Sequence, residues 1–117
     1  MNDKYFLDTN IIVYSFDSSS PARQQKSNEL VYQALAQKVG CISYQVIQEF
    51  INVSLSKFKK PLSGPDCQKY IMTVLEPLCE VHSSIFLFQK AIELKLRWRY
   101  SLYDSLIISA ALEAVAA

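Results

Sequence analysis

Three short apolar runs constrain this chain more than any other feature. They are Lys4-Tyr5-Phe6-Leu7, Cys41-Ile42-Ser43-Tyr44 and Leu78-Cys79-Glu80-Val81. Each is strand-length, and each leads into a segment whose apolar residues recur at helical spacing. Strands alternating with helices predict an α/β sandwich around a parallel sheet.

The helices between the runs carry their own punctuation. Asp8, Thr9 or Asn10 can cap a short helix through Ile11-Ile12-Val13-Tyr14. Ser20 before Pro21 opens a helix over roughly residues 21–38, with Leu30, Val31, Ala34 and Leu35 on one side and Gly40 as its stop. Val46, Ile47, Phe50, Ile51 and Val53 form the apolar face of the next helix, which ends in Lys57, Lys59 and Lys60, where the macrodipole favours cations. Ser63-Gly64-Pro65 starts a helix that should stop near Pro77. Ile85, Phe88, Ile92 and Leu96 mark a helix after Ser83-Ser84. Ser101 then caps a last helix that is apolar on nearly two faces, a pattern that belongs in the centre of a fold.

At 117 residues the chain has the length of one domain, read as 1–117, and half of it is hydrophobic, enough for a packed core. It has neither the roughly 20 apolar residues of a membrane span nor the layout of a signal peptide, which reads as a cytoplasmic protein. Cys41, Cys67 and Cys79 are odd in number and widely spaced, and the one histidine is His82. Neither a disulfide framework nor a thiolate–histidine zinc site is expected, which leaves hard metals with oxygen ligands.

Against that inventory three acids stand out. Asp8 ends the first run, Glu49 lies in Ile47-Gln48-Glu49-Phe50-Ile51, and Asp104 lies in Tyr103-Asp104-Ser105-Leu106-Ile107. In a parallel sheet sites form at the carboxyl ends of the strands, and all three acids can reach that edge. Carboxylates gathered there repel one another, and a divalent cation between them relieves this. Magnesium or manganese suits such a donor set and the hydrolysis of a phosphodiester. Each acid also has a plainer reading. Asp8 can be a helix cap alone, and Glu49 and Asp104 can simply complement helix N-termini.

Phe6-Leu7-Asp8-Thr9-Asn10, Gln45-Val46-Ile47-Gln48-Glu49-Phe50 and Arg99-Tyr100-Ser101-Leu102-Tyr103-Asp104-Ser105-Leu106-Ile107 together resemble a PIN domain, more specifically the VapC-like toxin ribonucleases of bacterial toxin–antitoxin pairs. The resemblance implies a PIN-like three-layer α/β/α sandwich and a Mg2+- or Mn2+-dependent endoribonuclease. Asp8, Glu49 and Asp104 would be its catalytic, metal-binding acids, with Asn10 and Thr9 supporting them. It also implies an antitoxin partner and homodimerisation, with Tyr70, Tyr100 or Phe58 as interface candidates. A further acid and a last strand typically follow in that family, so the chain is expected to be C-terminally incomplete relative to the fold.

Two basic clusters are candidates for RNA contact: Lys57, Lys59 and Lys60, and Arg97 with Arg99 around Trp98. The first also reads as an ordinary cationic helix end, the second as a solvated face. Net charge is only +1, so no global basic field points to nucleic acid. The alternatives to a nuclease are a catalytically silent interaction module on the same fold and, less well matched, a phosphate-accepting signalling domain. The latter would want a second acid beside Asp8 and a late strand-end lysine.

Overall fold

The computed structural model describes residues 4–116, and side chains as far as Ala114. The expected further strand concerns residues outside that range. Strands β1 (Tyr5–Phe6), β2 (Gly40–Ser43) and β3 (Cys79–Val81) form one parallel sheet in the order β1-β2-β3. Tyr5 pairs with Gly40 and Phe6 with Cys41, while Ile42 pairs with Cys79 and Ser43 with Val81 across a register irregularity. All strands run the same way, so their carboxyl ends share one edge.

The helices are α1 (Thr9–Tyr14), α2 (Pro21–Gln37), α3 (Tyr44–Ser56), α4 (Gly64–Tyr70), α5 (Glu76–Leu78), α6 (Ile85–Trp98) and α7 (Leu102–Ala116), with a π-helical segment at Ile71–Leu75. The chain is therefore mixed α/β around a small parallel sheet. No helix among the described residues is long and apolar enough to cross a membrane.

Buried apolar residues fall into two clusters. Leu7, Ile12, Val31, Ala34, Ile42, Val46, Phe50, Cys67, Leu75 and Leu78 form the first. Cys41, Val81, Leu87, Ala91, Leu106, Ala110 and Ala114 form the second. Neighbouring residues of β2, Cys41 and Ile42, feed opposite clusters, as alternation along a strand requires. Phe16, Phe50, Phe58 and Tyr70 add an aromatic group with ring centroids 4.8–6.3 Å apart. Phe58 and Tyr70, both half-buried, pack against the first cluster.

One sequence expectation needs correction. Gly40 does not stop α2, because Lys38 does so in the left-handed conformation, φ 56°. Gly40 instead opens β2 because a Cβ there would lie 2.5 Å from the Ala34 Cβ and 2.8 Å from Tyr5 Cε2. The helix after Ser63 ends just past Pro77, near where it was expected to stop. Proline lacks an N–H, and its ring collides with the carbonyl four residues back. The preceding turn widens to the π form, with Glu76 N–H bonded to the Ile71 carbonyl, and the helix passes Pro77 to Leu78.

Helix α6 forms where its spacing predicts. Ile85, Phe88, Ile92 and Leu96, whose spacing located it, are exposed at 72%, 39%, 52% and 75%. Its buried face is Leu87 and Ala91, where the small alanine lets α7 approach closely. Ser84 caps α6 by accepting from Leu87 N–H at 3.0 Å. Helix α7 packs on all three strands as well as on α6.

Candidate metal centre

Asp8 follows β1 directly, Glu49 lies in the helix that follows β2, and Asp104 lies at the start of α7, which packs on the sheet. Leu7 N–H still donates to the Cys41 carbonyl at 2.9 Å, so β1 remains tied to β2 up to the residue before Asp8. Asp8 then leaves the strand in extended conformation and caps α1, its Oδ1 accepting from Asn10 N–H at 2.5 Å. The cap occupies one carboxylate oxygen and leaves the other facing solvent. Ser43 ends β2 and is the N-cap of α3, which carries half-buried Glu49 in its second turn. Ser101 accepts from Asp104 N–H at 3.1 Å, which sets exposed Asp104 in the first turn of α7.

The segments that carry the acids also hold buried polar residues. Thr9, Ser43, Gln45 and Ser105 are 7%, 0%, 3% and 0% exposed. Thr9 Oγ1, Ser43 Oγ, Gln45 Oε1 and Ser105 Oγ have no hydrogen-bond partner, and they are the buried side-chain atoms among the described residues in that condition. All four belong to the segments that carry Asp8, Glu49 and Asp104. Gln45 also bridges two of those segments, its Nε2 donating to the Tyr103 carbonyl at 3.2 Å. Ser43, Gln45 and Ser105 were not singled out from the sequence. Gln45 carried no signal, because Gln48, Glu49 and Asn52 follow it at helical spacing and make its side of α3 read as an ordinary polar face.

The donor set is all oxygen, which in kind fits a hard divalent cation. Cys41, the nearest thiol in sequence to this edge, is fully buried, and burial foremost pushes its pKa up to about 11. It therefore stays a protonated thiol at neutral pH, a poor ligand. His82 follows β3 and is exposed. Among the described residues no three Asp, Glu, His or Cys side chains already form a metal-holding group. Joint coordination by the acids therefore calls for rotamer changes, which exposed Asp8 and Asp104 can make.

The cations divide between two places. Arg97 stacks on Trp98, with its guanidinium carbon 5.3 Å from the ring centroid, and Arg99 ends α6 in the left-handed conformation, φ 57°. Only Tyr100 and Ser101 separate Arg99 from α7, so this pair stands at the Asp104 corner. Lys57, Lys59 and Lys60 lie past the far end of α3, roughly 12 Å along its axis from Glu49. They do not share the acid edge.

Comparison adds no name to this geometry. The sequence matches no family model and no curated protein. The reading of the site therefore rests on its own residues.

Proposed function

We propose that this chain is a metal-dependent endoribonuclease with a PIN-like sandwich fold, of the VapC-like toxin kind. The observation that carries the reading is the coincidence just described. The buried, unpartnered side-chain oxygens of the described chain all belong to the three segments bearing the acids. Leaving such groups unsatisfied costs about 1–3 kcal/mol each. Their concentration at one sheet edge supports a site built to hold something polar, at the place where α/β folds hold ligands.

Asp8, Glu49 and Asp104 would hold Mg2+ or Mn2+, with Thr9 and Asn10 steadying the first acid. The cation, when bound, neutralises phosphate charge and activates water for in-line displacement. Arg97 and Arg99 would hold RNA phosphates beside Asp104, and exposed Trp98 and Tyr100 offer faces on which an unpaired base can stack. The same reading includes an antitoxin and a homodimer. The uncovered apolar stripe of α6, Ile85-Phe88-Ile92-Leu96, is a surface suited to a protein partner.

Manganese titration of the purified chain tests the proposal, followed by electron paramagnetic resonance of free Mn2+. Saturable binding that disappears in a Glu49→Gln variant is expected. Binding indifferent to that substitution would refute the site.

A further inference from the structure

Gln45 is placed oddly for a residue that only fills space. It is the second residue of α3 and is 3% exposed. A buried carboxamide is costlier than an apolar side chain of similar shape unless its hydrogen bonds are used. Its Nε2 reaches the Tyr103 carbonyl at 3.2 Å, across 58 residues of sequence. A carbonyl only accepts, so the amide group must face it and the orientation of the carboxamide is settled.

The two ends of this bond are what give it meaning. Tyr103 immediately precedes Asp104 in the first turn of α7, and Gln45 lies four residues before Glu49, on the same face of α3. Among the described residues it is the only side-chain hydrogen bond joining α3 to α7. Two packed helices can slide or roll by an ångström or two with little loss of apolar contact, whereas a metal site tolerates far less.

We propose that Gln45 is a positioning residue that locks the first turn of α7 onto α3 and so fixes Asp104 relative to Glu49. This rests on the metallonuclease reading, because without a shared ion the separation of the two acids has no task. Its Oε1 is also buried and has no hydrogen-bond partner.

The test compares the wild-type chain with Gln45→Met, which keeps the length and removes both polar atoms, and Gln45→Asn, one methylene short of Tyr103. Amide hydrogen exchange over residues 102–106 is measured without metal, and manganese affinity by electron paramagnetic resonance. Both variants are expected to exchange at least tenfold faster in that turn than the wild type. Both should also bind manganese at least fivefold more weakly, with unchanged helical circular dichroism. If Gln45→Met fails to fold, Gln45→Asn carries the comparison. Wild-type manganese affinity in the variants overturns the proposal, whether or not exchange speeds up, since Gln45 is then structural only. A wild-type chain that binds no manganese is a separate result, which removes the metallonuclease reading and this role together.

Discussion

Asp8 is assigned two tasks, capping α1 and binding a cation, and two substitutions separate them. Asp8→Asn keeps a side-chain oxygen where Oδ1 now accepts the Asn10 N–H, and asparagine caps about as well as aspartate. It loses only the charge at the helix N-terminus, about 0.5 kcal/mol at this exposed position. Asp8→Ala loses the charge and the cap, adding about 1 kcal/mol to the cost. At roughly 4 °C per kcal/mol for a chain of this size, the two variants should melt about 4 °C apart. Manganese affinity should not follow that order, because both variants have lost an anionic ligand and both should bind at least tenfold more weakly. Thermal melting by circular dichroism and a manganese titration on the same preparations measure both quantities. Equal melting temperatures would refute the cap. Wild-type manganese binding by Asp8→Asn would refute the ligand.

Three further outcomes follow from particular residues. Gly40→Ala places a methyl group against the Ala34 Cβ and the Tyr5 ring, and should cost more than about 2 kcal/mol in urea unfolding; an unchanged midpoint would contradict the packing. Arg99→Gly relieves a left-handed residue at the end of α6 and should stabilise by up to about 1 kcal/mol while weakening RNA binding in a filter assay; loss of stability would contradict the cap geometry. Burial foremost pushes the Cys41 thiol in the fold up to about 11, above its ordinary value of 9. Its contribution is therefore complete below pH 9 and is lost as pH rises towards 11, because the unfolded thiol ionises first. Cys41→Ala should flatten the fall in stability between pH 9 and 10, and an identical fall in the variant would count against thiol burial as its cause.

The strands and most helices were legible in the sequence because short apolar runs and capping serines are local signals. Ser84 and Ser101 cap the helices they were expected to cap, and Asp8 is the cap chosen among three candidates. What was not legible is equally physical. The spacing of Ile85, Phe88, Ile92 and Leu96 announces a helix, but periodicity cannot say which of two apolar faces is buried, and α6 also carries Leu87 and Ala91. Gly40 looks like a helix stop because glycine usually is one, whereas close approach to Ala34 and Tyr5 is a tertiary fact. The three acids could be named from their apolar surroundings. The buried Thr9, Ser43, Gln45 and Ser105 oxygens could not be grouped until the sheet edge was in view, because only folding brings their three segments together.

Cleavage of a mixed RNA pool with manganese tests the central claim most directly, run beside a chelator and beside Asp8→Asn and Asp104→Asn. The account predicts cleavage by the wild-type chain that is lost in all three controls. Cleavage that survives the chelator and both substitutions would contradict it, and so would a wild-type chain that binds manganese at these acids yet leaves RNA intact.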